Sequence, residues 1–115
     1  MCTKSEAMTI LSEVYERSKE LFGSKLADCY LYGSYARGDY DEESDVDILL
    51  TIDCGSYDDI REYRKSMAKI NSDISLDHNV TVCAIAEPLE QFNRYANISP
   101  YYRNVIEEGI SCAGN

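Results

Sequence analysis

The sequence predicts an α/β fold in which a small mixed β-sheet is flanked by helices. Helix-like and strand-like segments follow one another in the order α-β-β-α-β-α-α, without an internal repeat or a linker. Hydrophobic residues make up 44% of the 115 residues, which is enough for a modest core in one domain spanning residues 1–115. The connection between the first two strands is too short for a helical crossover, so these strands are expected to be antiparallel.

The amino-terminal segment has the pattern of an amphipathic helix. Thr3 and Glu6 are spaced as a capping box, and Gly23 is a suitable residue to end the helix. Between them, apolar or small side chains recur every three or four residues, which places them on one face. That face comprises Ile10, Leu11, Val14, Ser18, Leu21 and Phe22.

Two strand-like segments follow, and then a second helix. The segment "LADCYLY" (Leu26 to Tyr32) is short and rich in strand-forming residues, and Val46 to Ile52 has the same character. Ser56 and Asp59 are spaced as another capping box, which predicts a helix start. The apolar face of this helix comprises Ile60, Tyr63, Met67 and Ile70.

The last part of the chain predicts one strand and two helices. The segment "NVTVCAIA" (Asn79 to Ala86) is the third strand, bounded by Pro88. Ser99 and Pro100 are typical of a helix start, with serine at the N-cap and proline at the first helical position, and Gly109 ends that helix. A short helix before it is indicated by Leu89, Phe92 and Tyr95.

Charge and hydropathy exclude several functional classes. The formal net charge is −10, so repulsion from a phosphate backbone opposes general nucleic-acid binding, although a metal ion could still carry in a small polyanion. No apolar run approaches the roughly 18 residues that a membrane-spanning helix needs. The first residues, "MCTKSEAMTI", lack the layout of a signal peptide, so we expect a cytoplasmic protein.

The cysteines are odd in number, scattered, and never spaced as C-x-x-C. This pattern favours reduced thiols, several of them buried, over a zinc site. They are Cys2, Cys29, Cys54, Cys83 and Cys112.

The most informative stretch is "GSYARGDYDEESDVDILL", residues 33–50. Asp45 and Asp47 lie at the start of the second strand, and because side chains alternate along a strand they point to the same face. Two carboxylates about 6.5 Å apart repel by about 2.5 kcal/mol at an effective dielectric near 20. A divalent cation would remove this repulsion, and the hard oxygen ligands suit Mg²⁺ together with substrate phosphates.

The Gly33-Ser34 pair lies upstream, where the first strand ends. Glycine allows a ligand to approach the backbone closely, and a helical turn beginning at Ser34 would offer free N–H groups to an anion. Taken alone, Gly-Ser is more often an ordinary turn, and the acidic run of Asp39, Asp41, Glu42 and Glu43 is expected to be a solvated loop. The combination of Gly-Ser with the aspartate pair suggests a site for a metal–nucleoside triphosphate.

This stretch resembles the signature of the DNA polymerase β-like nucleotidyltransferase superfamily, in particular its small, stand-alone minimal nucleotidyltransferases. The signature is Gly-Ser, ten residues, and Asp-x-Asp, and Tyr35 to Ser44 supply the ten. Ala36, Arg37 and Gly38 also match the Ser-x-Ala-Arg-Gly form of the small members. The resemblance is strongest over Leu26 to Leu50.

The resemblance implies a role for each matching residue. Gly33 and Ser34 would hold the β- and γ-phosphates of a nucleotide, while Asp45 and Asp47 would be the catalytic ligands of Mg²⁺ or Mn²⁺. Arg37 would contact phosphate or be a solvated surface arginine. The family transfers a nucleoside monophosphate, here most plausibly AMP, to a hydroxyl group and releases pyrophosphate. Small members commonly pair with a small helical protein of the HEPN type in toxin–antitoxin modules.

One departure from the family pattern concerns the third carboxylate, which active members usually supply from the next strand. That strand contains none here, and our alignment places Thr81 at the position. Asp77 could substitute only if the strand starts early, and is otherwise a turn residue beside His78, which we expect to be exposed in a loop.

Two functional hypotheses follow. The first is a metal-dependent nucleotidyltransferase, favoured by the intact signature; the second is a catalytically weak or inactive nucleotide-binding, antitoxin-like module, favoured by the missing carboxylate. One of the tyrosines near the signature (Tyr32, Tyr35 and Tyr40) could stack on a base, although core packing is the expected role.

Overall fold

A computed structural model describes residues 2–112. Five α-helices and four β-strands are present in this part of the chain, joined by short turns, three of which are 3₁₀-helical. The helices are α1 (Lys4–Phe22), α2 (Ser34–Arg37), α3 (Arg64–His78), α4 (Leu89–Tyr95) and α5 (Pro100–Glu108). The strands are β1 (Leu26–Tyr32), β2 (Val46–Ile52), β3 (Val82–Pro88) and β4 (Ile110–Ser111).

The strands form one mixed sheet in the order β3-β2-β1-β4. Strand β1 is antiparallel to both β2 and β4, whereas β2 and β3 are parallel. The predicted α/β class and the antiparallel pairing of the first two strands are therefore confirmed. Strand β4 was not predicted, because a two-residue strand carries no readable alternation of side chains.

The two faces of the sheet are covered by different helices. Val46, Ile48 and Leu50 of β2 are fully buried in the larger core, which includes residues of α1 and α3. Leu49 points to the other face and packs in a second cluster with residues of α4 and α5. Burial of each such side chain contributes about 1.5–3 kcal/mol, so this central strand is firmly fixed. The second cluster comprises Leu49, Phe92, Tyr102 and Val105.

Helix α1 begins and ends where the sequence predicts, whereas the helix predicted from Ser56 starts later than expected and is α3. The Thr3 side chain accepts a hydrogen bond from the Glu6 N–H at 3.1 Å, and Gly23 follows α1 with a φ of 61°. The Asp59 side chain accepts the predicted hydrogen bond from the Ser56 N–H at 3.3 Å, but this bond caps a 3₁₀ turn. The continuous helix α3 therefore begins only at residue 64.

The third strand begins at Val82 rather than at Asn79. Helix α3 continues through His78, and Asn79 ends it in the left-handed conformation with a φ of 53°. The alternative in which the strand starts early is therefore wrong, and Asp77 is an exposed helical residue. Pro88 is the last residue of the strand, which is tolerated because β3 lies at the edge of the sheet.

His78 is not exposed in a loop, contrary to expectation. It occupies the last turn of α3, and only 18% of its side chain is exposed. Its Nδ1 lies 3.2 Å from a carboxylate oxygen of Glu6, and its Nε2 lies 2.5 Å from one of Glu13. The imidazole therefore links α3 to α1. Burial acts to lower the pKa of His78, but the hydrogen bonds with Glu13 and Glu6 outweigh it, so the pKa is raised.

The raised pKa predicts a pH-dependent contribution of His78 to stability. Stabilisation by protonated His78 is fully present below the unfolded pKa of about 6.5 and is lost as the pH rises through the higher folded pKa. We expect His78→Gln to cost up to about 1 kcal/mol in unfolding free energy at pH 6, and less at pH 8.5. Urea unfolding across this range measures the difference, and parallel profiles for the two proteins would contradict the helix link.

Two further findings concern cysteines and membranes. Cys2 and Cys29 are buried, as expected for structural thiols, whereas Cys83 is exposed; all five cysteines are free thiols. No helix within residues 2–112 is both long enough and apolar enough to cross a membrane.

Candidate nucleotide and metal site

The two aspartates lie where the central strand β2 begins. Asp45 is exposed just before the strand, and Asp47 is half-buried within it. Asp47 is paired with Tyr32 of β1 on one side and with Cys83 of β3 on the other. The pair therefore occupies the middle of the sheet, on the face that α4 and α5 cover only in part.

The electrostatics of Asp47 show that the two carboxylates interact. Burial raises the pKa of Asp47, the charge of Asp45 raises it further, and Arg37 lowers it, with a net increase. Water screens much of this repulsion because Asp45 is exposed, so the interaction is weaker than in a buried pair. A cation between them would still relieve it, and carboxylate oxygens are the ligands that Mg²⁺ and Mn²⁺ prefer.

Gly33 places the Gly-Ser turn close to Asp47. Its φ is 77°, a conformation that favours glycine, and it directly follows β1. A Cβ atom at this position would lie only 2.7 Å from Oδ2 of Asp47. A side chain at residue 33 would therefore strain the backbone and displace the Asp47 carboxylate, which lies close to the turn.

A helical turn does begin at Ser34. The carbonyl of Gly33 accepts hydrogen bonds from the N–H groups of Ala36 and Arg37, at 3.1 and 3.0 Å, and Gly38 closes the turn on Ser34 at 2.8 Å. The first N–H groups of such a turn have no partner within it. Because this turn follows the last residue of β1, its first N–H groups lie at the same end of β1 as the carboxylate of Asp47.

Arg37 is held by two carboxylates on the protein surface. Its side chain, 43% exposed, pairs with Asp39 at 3.2 Å and with Glu108 at 3.1 Å, and both hydrogen bonds raise the pKa of Arg37. The positive charge of Arg37 acts to lower the pKa of Asp47, although burial and Asp45 raise it overall. These two bonds use Nε and Nη1, so a phosphate contact through Nη2 would not require Arg37 to give up either partner.

The neighbouring strand β3 supplies no carboxylate beside the pair. The N–H of Val46 donates to the carbonyl of Thr81 at 2.8 Å, which places the exposed Thr81 beside Asp45. Val82 points into the core, so by strand alternation Thr81 and Cys83 lie on the aspartate face. Within residues 2–112, no group of three or more His, Cys, Asp or Glu side chains is placed to hold a metal ion.

Comparison with known proteins agrees with this geometry. Residues 11–111 match the family model described as "Nucleotidyltransferase domain". The chain belongs to this nucleotidyltransferase family. It is 36% identical over 99 residues to a Methanocaldococcus jannaschii protein named "Putative protein adenylyltransferase MJ0604", covering 86% of this chain and 90% of that protein. A second protein of that organism, with the same name and the designation MJ0141, is 38% identical over 80 residues, which cover 70% and 78%.

Solved structures share the fold at lower sequence identity. A structure described as "Crystal structure of the toxin-antitoxin with AMP-PNP" aligns with a TM-score of 0.55 and 18% identity, covering 87% of this chain and 69% of that one. A toxin–antitoxin MntA-HpeT mutant structure aligns with a TM-score of 0.54 and 16% identity over the same shares. These likenesses confirm the nucleotidyltransferase fold of helices around a mixed sheet.

Sequence reasoning missed a tyrosine pair beside the candidate site of this nucleotidyltransferase. The hydroxyl oxygens of Tyr32 and Tyr101 lie 2.7 Å apart, and their rings meet edge to face at 5.5 Å. Tyr32 flanks the signature, but no local pattern in the sequence connects it with a residue of α5. Tyr35 is only 1% exposed and stacks on Tyr40 at 4.4 Å, so its role is core packing, as expected.

Gly33→Ala is expected to damage the candidate site more than the fold. The added methyl would meet the Asp47 carboxylate and the left-handed backbone would be strained, at a cost of about 1–2 kcal/mol. We expect any Mg–ATP-dependent rise in melting temperature to disappear while the variant still folds. Gly38→Ala is a matched control, because Gly38 also has a positive φ of 94° but its Cβ would meet no atom within 4 Å. An equal loss in both variants would show that backbone strain alone is responsible.

Proposed function

We propose that this protein is a Mg²⁺- or Mn²⁺-dependent nucleotidyltransferase that transfers a nucleoside monophosphate from a triphosphate to an acceptor hydroxyl. The observation that carries the proposal is the close approach of the Asp47 carboxylate to Gly33, where it occupies the space that a Cβ atom would need. It joins a turn suited to phosphate with a pair suited to a divalent cation. In the reaction, the acceptor hydroxyl releases its proton to solvent and its oxygen forms a bond to the α-phosphorus, while the bond from the α-phosphorus to the oxygen shared with the β-phosphate breaks and pyrophosphate leaves.

Each residue of the candidate site would have a separate role in this reaction. Gly33 and Ser34 offer N–H groups, and Ser34 a hydroxyl, to the β- and γ-phosphates. Asp45 and Asp47 would hold the divalent cation, for which the all-oxygen donor set and the crowded carboxylates are suitable. When bound, the cation supplies charge neutralisation on the phosphates and activation of the acceptor hydroxyl. Arg37 would add a positive charge near the phosphates through Nη2, which takes no part in its bonds to Asp39 and Glu108.

The relatives support ATP as the nucleotide and a protein as the acceptor. The M. jannaschii relatives are named as protein adenylyltransferases, and one structural neighbour was solved with AMP-PNP. Since two neighbours are toxin–antitoxin structures, a small helical partner of the HEPN type is the proposed acceptor or binding partner. We also propose a cytoplasmic location for the protein.

A second candidate function is a nucleotide-binding, antitoxin-like partner with weak or no catalysis. Thr81 favours it, because the strand position beside Asp45 carries a hydroxyl where a third carboxylate would complete the metal site. In that case nucleotide binding would persist without transfer.

Thermal unfolding with nucleotide tests the proposal directly. Mg–ATP at about 100 times its dissociation constant adds about 2.7 kcal/mol to the unfolding free energy, which raises the melting temperature by on the order of 10 °C. ATP alone, with a chelator present, should have much less effect. Incubation with labelled ATP, Mg²⁺ and the product of the neighbouring gene, read by mass shift, then separates catalysis from binding. A melting curve unchanged by saturating Mg–ATP would exclude both candidate functions.

A further inference from the structure

Glu108, in the last turn of α5, contacts a residue of the candidate nucleotide site. Its Oε2 accepts a hydrogen bond from Nη1 of Arg37 at 3.1 Å, across 71 residues of chain. The backbone N–H of Arg37 in turn donates to the carbonyl of Gly33 at 3.0 Å. Glu108 is therefore bound to the side chain of a residue that is itself part of the Gly-Ser turn.

The charge of Glu108 alone does not explain its place beside a site for phosphates. Arg37 contributes one positive charge to this cluster, whereas Asp39 and Glu108 contribute two negative ones, so the cluster as a whole repels an anion. The chain already carries a net charge of −10, which acts in the same direction. What Glu108 supplies instead is a fixed position for the guanidinium.

Two bonds define the orientation of the Arg37 guanidinium. Its Nε donates to Oδ2 of Asp39 at 3.2 Å, and its Nη1 donates to Glu108. A guanidinium is planar, so holding two of its three nitrogens fixes the direction of the third. The two N–H groups of Nη2 take no part in these bonds, and they have the paired geometry that suits phosphate oxygens.

Glu108 is held more firmly than Asp39. Val105 of α5 is fully buried and its carbonyl accepts from the N–H of Gly109 at 2.8 Å, while Ile110 pairs with β1. Glu108 thus lies between two fixed points of the backbone, and 33% of its side chain is exposed, compared with 63% for Asp39. Helix α5 therefore contributes more than the loop at Asp39 to the placement of Arg37.

We propose that Glu108 is a positioning residue that holds Arg37 with Nη2 directed at a phosphate of the bound nucleotide. This inference rests on the nucleotide site of the proposed function. Arg37 touches the phosphate, and Glu108 acts only through Arg37. Binding sites require their contacting side chains to be held in place by further hydrogen bonds, and α5 provides one here.

Calorimetric titration of the protein with ATP in excess Mg²⁺ tests this inference, because charge and position predict opposite signs. Removal of a negative charge by itself tightens binding of a polyanion, whereas loss of the hold on Arg37 weakens it. We expect Glu108→Ala to weaken Mg–ATP binding by at least about fivefold. Glu107→Ala removes the same charge from the neighbouring exposed position and should not weaken binding. Unchanged or tighter binding by Glu108→Ala would overturn the proposal.

Two further variants show whether Glu108 acts through Arg37. Glu108→Gln keeps an oxygen that accepts from Nη1, so it should retain most of the wild-type affinity. In an Arg37→Ala background, Glu108→Ala should cause no further weakening, because the group that it positions is absent. A glutamine variant as weak as the alanine variant, or additive losses in the double variant, would contradict the positioning role.

Nuclear magnetic resonance relaxation of the arginine Nε–H groups measures the hold on Arg37 without nucleotide. We expect the order parameter of Arg37 to exceed about 0.6 in the wild type and to fall below that value in Glu108→Ala. Arg103, whose nearest carboxylate is that of Glu107 at 4.0 Å, serves as an internal reference that stays unchanged. The melting temperature should change little, since partly exposed ion pairs contribute little to stability. An unchanged order parameter of Arg37 would overturn the proposal.

The same samples separate this inference from the proposed function. If the wild type binds Mg–ATP and Glu108→Ala binds it equally well, only the positioning role is wrong. If Mg–ATP binding depends on Glu108 but no transfer occurs, the transferase function fails while the positioning role holds. A wild type that does not bind Mg–ATP would overturn both.

Discussion

Replacement of Asp45 and Asp47 by asparagine together is expected to abolish nucleotide transfer and the Mg–ATP-dependent rise in melting temperature. Asparagine keeps the shape of each side chain but cannot supply the negative charge that holds a divalent cation. Loss of the groups that neutralise charge in the transition state reduces the rate by roughly 10³-fold or more. Transfer of label from ATP, together with thermal unfolding with and without Mg–ATP, measures both effects.

The unliganded fold of this double variant should be at least as stable as that of the wild type. Burial and Asp45 both raise the pKa of Asp47, so folding disfavours its ionised form and asparagine relieves that cost. Glu42→Gln with Glu43→Gln is the matched control, since it removes two charges from exposed residues of the same loop. If the aspartate variant unfolds outright, the two carboxylates are structural, and the functional interpretation is wrong.

Thr81→Asp is expected to raise transfer activity and to tighten Mn²⁺ binding. Thr81 lies beside Asp45 through the 2.8 Å bond from the Val46 N–H, and its side chain is exposed on the aspartate face. A carboxylate there would add a third oxygen ligand, whose effect falls on the transition state more than on the ground state. Nucleotide affinity should therefore change little, while the transfer rate rises by at least about tenfold.

Two further variants test the register on which this prediction depends. Asp77→Asn should have little effect, because Asp77 is an exposed residue of α3. Cys83→Asp tests the other β3 position, since Cys83 is paired with Asp47. A gain only in Cys83→Asp would place the missing ligand opposite Asp47 rather than Asp45. Loss of natural activity in Asp77→Asn, with no gain from Thr81→Asp, would contradict the assignment of Thr81.

The sequence alone determined the class of fold and the residues that make up the candidate site. Strands β1 and β2 have the predicted bounds, and the capping pattern at Thr3 fixed the start of α1, because these signals depend on residues close together in the chain. The Gly-Ser and Asp-x-Asp elements could also be assigned to one site from the sequence, because they too are close together in the chain. Both lie at adjoining ends of two antiparallel neighbours, so pairing of β1 with β2 necessarily brings them together.

Local signals were less reliable where two structures competed for the same residues. The segment before β3 has strand-forming residues, but α3 continues to His78 because its buried face is held against the sheet and against α1. The capping box at Ser56 is real, yet it begins a 3₁₀ turn rather than the helix. Packing of the neighbouring elements decides such boundaries, and propensity over a few residues does not contain that information.

Only the tertiary structure decided what surrounds the aspartate pair. Tyr32 meets Tyr101 across 69 residues of chain, and Arg37 meets Glu108 across 71. Cys83 comes to lie beside Asp47 because β3 is parallel to β2 in one particular register. The first part of the β3 edge is covered because side chains of α3 bond to its backbone, Asn71 to Ala84 and Ser75 to Val82. Strand order and register arise from burial of the whole core, and for that reason no short stretch of sequence encodes these contacts.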